Sequence, residues 1–162
     1  SDINDERCEE YAALPGVEVV PLDDIYSVDC DVFMPCALGG VLNDDTIPLL
    51  KAQVVAGCAN NQLLRSEHAD ALYARGILYA PDFIINAGGI INVSVEVREQ
   101  GYNERTAVRK IENIYDGLRE VFEKSRRENL TPAKAADRVA EFRLEQARNR
   151  NGHHVADGAP NS

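Results

Sequence analysis

Two groups of amide side chains follow short apolar runs in the sequence and could bind a polar ligand. Residues 52–56 lead into Asn60, and residues 77–80 lead, a few positions later, into Asn86. In open α/β sheets, ligands lie beyond the carboxyl ends of the parallel strands, so both groups fall where a site is expected. Each amide supplies donors and an acceptor, which suits a carboxamide or a carboxylate. The Gly-Gly pair at 88–89 would let the backbone approach a flat ligand closely.

A third loop, residues 35–40, also follows an apolar run and is built mainly of small residues. It could lay its backbone along a ligand at Cys36 and Ala37, and a plain turn is an equally good interpretation. Cys36 has no His nearby in sequence to activate it, so a buried thiol is favoured over a nucleophile. The adjacent His153 and His154 have no carboxylate or Cys partner at ligand spacing, so no metal site is predicted.

The residue pattern predicts no catalytic constellation. The acidic residues form no pair that shares a demonstrable pocket, and they are interpreted as helix caps and solvated faces. The dinucleotide fingerprint Gly-x-Gly-x-x-Gly is missing from the sequence. Asp2 stands where the acidic ribose ligand of such a fingerprint would fall if the glycines preceded Ser1. Spacing alone favours an exposed terminal carboxylate at Asp2.

The charge balance excludes several classes of partner. Seventeen Lys and Arg residues against 27 Asp and Glu residues give a net charge of −10, which repels phosphate backbones and anionic bilayers. Nucleic acid and membrane are therefore not expected partners, and no apolar run approaches the roughly 20 residues of a membrane helix. Four cysteines without Cys-x-x-Cys spacing indicate reduced thiols in a cytoplasmic protein. The chain opens on Ser1 instead of Met, which suggests a piece of a longer protein.

Short β-branched or apolar runs alternate with helical or loop stretches, as in a parallel α/β sheet. Strands are predicted at residues 17–20, 30–34, 52–56 and 77–80, and their near-continuous apolarity indicates a sheet covered on both faces. Helices are predicted at 5–14 behind Asn4 as N-cap, near 45–48, and from Ser66 or Glu67 to Gly76. Residues 89–99 mix strand propensity with a helical pattern, and both alternatives stay open.

The second part of the chain is predicted to be helical. A long amphipathic helix runs from Asn103 to Asn129 and carries an apolar stripe that must be covered. Thr131 and Pro132 are a suitable cap and first-turn pair for another helix. Residues 151–162 are rich in Gly and Asn and are predicted to form a flexible tail.

Three segments together resemble the glutamate/leucine/phenylalanine/valine dehydrogenase family. They are residues 30–48, with Met-Pro-Cys-Ala-Leu-Gly-Gly inside, residues 55–63, with Gly-Cys-Ala-Asn-Asn-Gln, and residues 76–93, with Ala-Pro-Asp-Phe-Ile-Ile-Asn-Ala-Gly-Gly. The resemblance extends from Ser1 to about Val155. That breadth argues against a chance match.

The resemblance implies an α/β fold, with the later part of a Rossmann-like parallel-sheet cofactor domain followed by two long C-terminal helices. It divides the chain into a partial dinucleotide-binding domain at 1–100, helices at 101–150 that pack back on the domain cleft, and the tail at 151–162. The family's phosphate loop, catalytic Lys and catalytic Asp have no counterpart in this sequence. The resemblance therefore assigns no catalytic residue to it.

NAD is the cofactor that the resemblance implies, and site residues follow from matching positions. Asp2 matches the acidic ribose ligand that favours NAD, because a 2′-phosphate would meet a negative charge. Cys36 and Ala37 match the loop beside the adenosine. The amides near the nicotinamide and the substrate match Asn60 and Asn86, and the substrate side-chain pocket matches Ile90 and Val93.

The implied activity is oxidative deamination of a branched-chain L-amino acid, namely leucine, valine or isoleucine, to the 2-oxo acid and ammonia. β-Branched pocket residues should narrow the pocket toward these substrates. Two alternatives stay open: a phenylalanine-type dehydrogenase of the same family, and a non-catalytic module that binds a nucleotide or a partner. The resemblance also implies a homo-oligomer.

Overall fold

A computed structural model describes residues 1–97 and 101–156, with side chains up to residue 149. Its helices and strands, in chain order, are α1 (Asp5–Ala12), β1 (Val32–Phe33), β2 (Val54–Val55), α2 (His68–Ala74), β3 (Leu78–Tyr79), α3 (Asp82–Ile85), α4 (Gly88–Glu96), α5 (Glu104–Glu128) and α6 (Pro132–Ala156). Two 3-10 turns lie at Ile25–Ser27 and Ile47–Leu49. The predicted α/β architecture is confirmed.

The three strands form one parallel sheet in the order β1-β2-β3. The register aligns Phe33 with Val55 and Val55 with Tyr79. Each strand lies inside its predicted run and is shorter than it. The fourth predicted strand, residues 17–20, is wrong, since that segment has no regular structure. A strand needs a hydrogen-bonded neighbour, and no strand among the described residues pairs with this segment.

The two faces of the sheet differ in exposure. Phe33, Val55 and Tyr79 are buried on one face, whereas Val32 and Leu78 are 45% and 41% exposed on the other. The prediction of a sheet covered on both faces is therefore wrong for the described residues. The sequence pattern could not show this, because an apolar run has the same appearance whether or not a second layer covers it.

The main core lies on the buried face of the sheet. It combines the three inward strand residues with others from the connecting segments, namely Leu42, Ile47, Leu50, Ala52, Leu72 and Ile77. Leu42 and Leu63 form an isolated parallel bridge that ties the loop after β1 to the loop after β2. The core therefore fixes both loops at the carboxyl end of the sheet.

The predicted N-cap of α1 is confirmed, and α5 lies between the two residues predicted to bound it. The Asn4 side chain accepts a hydrogen bond from Arg7 N at 2.9 Å and begins α1. The Asn103 side chain accepts from Thr106 N at 2.9 Å and begins α5, which ends at Asn129 with a left-handed φ of 53°. These are the positions where an amide side chain satisfies an orphan amide, or where Asn tolerates positive φ.

The two long helices α5 and α6 pack on each other through Val121, Ala135, Ala136 and Val139. Ile84 of α3 packs against the same cluster, so the helices lie next to the segment that follows β3. The stretch left open at 89–99 is helical as far as Glu96, and 98–100 lie outside the described residues.

The last helix runs on to Ala156, past Asn151, at which the predicted tail begins, so residues 151–156 are helical. The remainder of that predicted tail, 157–162, lies outside the described residues. None of the helices in the described ranges combines the length and the apolarity that crossing a membrane requires.

Candidate functional site

The carboxyl ends of β1 and β2 continue into two loops that are in close contact. Gly57 faces Pro35 so closely that a Cβ on Gly57 would lie 2.1 Å from the Pro35 carbonyl oxygen. Ala59 N donates to that same oxygen at 2.9 Å. Farther along, a Cβ on Gly39 would lie 2.8 Å from the Asn60 carbonyl oxygen. Glycine is required at 39 and 57 because the two backbones occupy the space of a side chain.

The structure brings the two predicted amides together. Asn86 Nδ2 donates to Asn60 Oδ1 at 2.6 Å, which joins the loop after β2 to the end of α3. Among the described residues, no partner is recorded for the Asn60 amide nitrogen or for the Asn86 amide oxygen. The pair therefore offers one donor group and one acceptor to a ligand.

A buried polar network holds this pair in place. The Asp82 carboxylate accepts from Gln62 N at 2.8 Å and from Phe83 N at 2.7 Å. The Gln62 side chain donates to Gly57 O at 2.6 Å and to Ala59 O at 3.0 Å, while its Oε1 is buried without a partner in the described structure. Asp82 thereby ties the Asn60 loop to α3, which ends next to Asn86.

The buried Tyr79 also binds the start of α3. Asp82 N donates to the Tyr79 hydroxyl at 3.3 Å. Burial raises the pKa of Tyr79 far above its usual range, so the phenol stays neutral at physiological pH. The sequence prediction missed this network of Gln62, Tyr79 and Asp82. Gln62 and Asp82 stand inside the conspicuous motifs, but only the fold shows that they touch.

Ile90 and Val93 lie on α4, directly after the Gly-Gly pair, and are 73% and 52% exposed. A Cβ on Gly88 or Gly89 would meet nothing within 4 Å, so the start of α4 is open. Both side chains are therefore open to solvent on this side of α4. Neither has the burial of a core residue.

Asp2 lies in a different place from the amide pair. It is exposed, its Oδ1 accepts from Asn4 N at 2.9 Å, and it lines an open groove of about 620 Å³ with α1 and residues 17–19. None of the other predicted site residues lines that groove. Asp2, Glu10 and Glu18 make its wall predominantly acidic, with Arg7 as the cation.

Cys36 and Ala37 are exposed on the loop after β1. The interpretation of Cys36 as a buried thiol is therefore wrong. The strand β1 ends at Phe33, and after Pro35, which is buried against Gly57, the loop at residues 36–39 is exposed. Its thiol is next to that of Cys58, and a side-chain hydrogen bond to Cys36 is the main cause that raises the pKa of Cys58.

A second polar cluster, also missed from the sequence, lies away from the amide pair. His68 is buried, and its Nδ1 accepts from Arg65 N at 3.0 Å, so Nε2 carries the hydrogen and donates to Asp44 at 3.2 Å. Hydrogen bonds from Arg65 and then His68 hold the pKa of Asp44 below its usual value. Asp44 is mainly exposed, which fits a surface ion pair that anchors α2.

No group of three or more potential metal ligands occurs within the described ranges. The groups available at the carboxyl edge of the sheet (the crest) are thus hydrogen-bond donors, hydrogen-bond acceptors and the two thiols of Cys36 and Cys58. The paired amides lie beyond the strand ends of a parallel sheet, which is where open α/β sheets bind their ligands.

Residues 3–152 match the Glutamate/Leucine/Phenylalanine/Valine dehydrogenase family, and the chain belongs to that family. It is 48% identical to leucine dehydrogenase from Geobacillus stearothermophilus over 96% of this chain and 43% of that protein. It is 43% identical to phenylalanine dehydrogenase from Caldalkalibacillus thermarum over 96% of this chain and 41% of that protein.

The crystal structure of L-tryptophan dehydrogenase from Nostoc punctiforme superposes with a TM-score of 0.85 at 46% identity, over 90% of this chain and 44% of that one. The chain thus spans less than half the length of the relatives it matches. Both the family resemblance and the predicted fold, a partial Rossmann-like domain followed by two long helices, are confirmed.

Proposed function

We propose that this chain forms the cofactor-domain portion of an NAD-dependent enzyme that oxidatively deaminates a branched-chain L-amino acid to the 2-oxo acid and ammonia. The observation that carries the proposal is the hydrogen-bonded pair Asn60–Asn86 at the carboxyl edge of the sheet. The relatives described above are dehydrogenases of leucine and of phenylalanine, which supports an amino-acid substrate. The domain limits at 1–100 and 101–150 belong to the same proposal.

The amide pair fits a nicotinamide dinucleotide. Its outward donor on Asn60 and acceptor on Asn86 complement a carboxamide, which presents one acceptor and one donor group. The open backbone at Gly88 and Gly89, the first two residues of α4, leaves room for a flat ring. NAD, when bound, accepts the hydride that leaves Cα of the amino acid. The chain's own contribution is to orient the ring and the substrate, with Asn60 next to both.

Asp2 is proposed to select NAD over NADP at the adenosine end, and Cys36 and Ala37, on the loop after β1, are proposed to bind the adenosine. A carboxylate accepts hydrogen bonds from ribose hydroxyls and repels a 2′-phosphate. The acidic wall of the Asp2 groove adds to that repulsion. Asp2→Ser, made in protein from the complete reading frame, should lower the ratio of kcat/KM for NAD to that for NADP by about tenfold, equal to about 1.4 kcal/mol.

Asp5→Ser is the matched control for Asp2, because Asp5 is an exposed carboxylate in the first turn of α1 that does not line the groove. It should leave the NAD to NADP ratio unchanged. An unchanged ratio in both variants would mean that Asp2 is only a solvated carboxylate.

Substrate choice is proposed to depend on Ile90 and Val93. One methylene in an apolar pocket is worth about 1–3 kcal/mol of discrimination. We expect kcat/KM for leucine, valine and isoleucine to exceed that for phenylalanine by at least about tenfold. Ile90→Ala and Val93→Ala should narrow that difference, whereas Val97→Ala, at the exposed end of the same helix, should not.

The second candidate is a phenylalanine-type dehydrogenase, favoured by the 43% identity to the phenylalanine dehydrogenase and by the open flank of α4. A preference for phenylalanine in the same assay would establish it. Absence of turnover with every amino acid, together with retained nucleotide binding, would instead support a non-catalytic binding module.

A homo-oligomer in the cytoplasm completes the proposal. Apolar side chains remain exposed on the outer sheet face, at Val32 and Leu78, and on α5, where Tyr115 is 72% exposed. Such surface favours association. The four cysteines are free in the structure, which fits a reducing compartment.

A further inference from the structure

Two of the four cysteines stand opposite each other at the crest of the sheet. The register of β1 and β2 pairs Val32 with Val54 and Phe33 with Val55. Continued by three positions, it places Cys36 across from Cys58. The remaining cysteines, Cys8 and Cys30, are half-buried, and neither has a counterpart in this register.

The two loops stay in contact after the strands end, although the hydrogen bond to Pro35 O comes from the residue after the one that the ladder of β1 and β2 would place there. Gly57 lies against the backbone of Pro35, and Ala59 N is hydrogen-bonded to Pro35 O. Neighbouring strands lie about 4.8 Å apart, and a disulfide accepts Cα separations of about 4.4–6.8 Å. The backbone geometry therefore permits a bond between the residues that follow Pro35 and Gly57.

Both thiols are exposed, so a small reagent can reach them. They also interact with each other, since the side-chain hydrogen bond to Cys36 is the largest cause that raises the pKa of Cys58, followed by its charge interaction with Cys36 and by burial. Two adjacent thiols resist becoming two adjacent thiolates. Cys58 therefore holds its proton more tightly than a free thiol does.

We propose that Cys36 and Cys58 form a reactive dithiol that a low-molecular-weight disulfide converts into an intramolecular disulfide. The Cys36 thiolate attacks one sulfur of the reagent, so a mixed disulfide forms and one small thiolate leaves. The Cys58 thiol then loses its proton to the small thiolate that has left or to water, and its sulfur attacks Cys36 Sγ. The second small thiolate leaves, and the protein has lost two hydrogens while the reagent has been reduced to two thiols.

The new bond would join the loop that carries Cys36 to the loop that carries Asn60. We expect the disulfide to obstruct the nucleotide site, and this expectation alone rests on the function proposed above. The formation of the bond rests on the contact between the two loops and on the exposure of the two thiols.

Oxidised glutathione is the probe, applied to protein from the complete reading frame, and cleavage on the amino side of Asp reads the result. That cleavage places each cysteine on a separate peptide, with Cys8 in 5–22, Cys30 in 29–30, Cys36 in 31–43 and Cys58 in 45–69. We expect the 31–43 and 45–69 peptides to be cross-linked in most of the protein, and dithiothreitol to release them.

Single variants trap the intermediate. Cys36→Ser and Cys58→Ser should each stop at a stable glutathione adduct on the remaining thiol, whereas Cys30→Ser should cross-link like the unaltered protein. Unaltered protein that stops at glutathione adducts, or that does not react at residues 36 and 58, would overturn the proposal. This outcome does not depend on how well any variant folds.

The effect of saturating NADH tests the dithiol proposal separately from the proposed cofactor site. We expect it to slow the cross-linking at least about fivefold, because a ligand at the crest would cover the thiols. Cross-linking that proceeds equally fast with NADH would leave the dithiol standing and would count against the assignment of Cys36 to the cofactor site.

Discussion

Substitution of Gly57 tests whether the close approach of the two loops that follow β1 and β2 stabilises the protein. In the structure, a Cβ at this position would lie 2.1 Å from Pro35 O and 2.4 Å from Pro35 N. Non-bonded carbon contacts favour about 3.5–4.0 Å, so the Pro35 backbone would have to shift by more than about 1 Å. Gly57→Ala therefore cannot be accommodated by rotating a side chain.

The cost has two parts. Overpacking a well-packed site costs about 1–3 kcal/mol. Separating the loops also breaks the hydrogen bond from Ala59 N to Pro35 O, which contributes about 1 kcal/mol. We therefore expect Gly57→Ala to lower the free energy of unfolding by about 2–4 kcal/mol, a large part of the roughly 5–15 kcal/mol typical of a domain.

Urea unfolding of protein from the complete reading frame measures this change, and Gly117→Ala is the matched control. Gly117 lies inside α5, and a Cβ there would meet nothing within 4 Å. The same substitution should raise stability there by about 0.5–1 kcal/mol, because Ala is the better helix former. Equal effects at the two positions would refute the reasoning, as would a Gly57→Ala variant of unchanged stability.

Asp82→Ala should lower the free energy of unfolding by about 1–3 kcal/mol in urea unfolding, because the buried Gln62 N loses its acceptor. Asp70→Ala, which breaks the exposed pair with Lys134, should cost less than about 1 kcal/mol, and a larger cost there would contradict the assignment. Hydrogen bonds from Lys124 and Arg138 lower the pKa of Glu128 from its ordinary 4.5 to about 2. The stabilisation that the Glu128 carboxylate provides is therefore present above pH 4.5 and is lost as the pH falls toward about 2. Glu128→Gln should flatten the fall of Tm over that pH window. Parallel curves of Tm against pH for the variant and the unaltered protein would count against this role of Glu128.

The sequence predicted the elements whose signals are local. Asn103 and Asn129 marked the ends of α5 because a cap and a left-handed residue act within one turn. The runs around β1, β2 and β3 were found because buried strands are apolar. The run at 17–20 has the same composition and was wrong, since pairing depends on a neighbouring strand that composition does not reveal.

The same difference between local signals and contacts of distant residues applies to the candidate site. Asn60 and Asn86 stood out as amides at strand ends, and the fold places them 2.6 Å apart. The link from Asp82 to Gln62 spans 20 positions, and the approach of the Cys36 loop to the Cys58 loop depends on how two strands pair, so neither has a periodic signal. Exposure of Cys36 was missed because a loop residue is buried only where another segment covers it, which no local pattern shows.

The central claim is that the Asn60–Asn86 pair binds the nicotinamide end of NAD, and the affinity of protein from the complete reading frame for NADH tests it most directly. Fluorescence titration should show a Kd at least about tenfold weaker for Asn86→Ala, equal to about 1.4 kcal/mol. Asn113→Ala, at an exposed position on α5, should bind NADH like the unaltered protein. An Asn86→Ala protein that is folded and binds NADH with unchanged affinity would contradict the account.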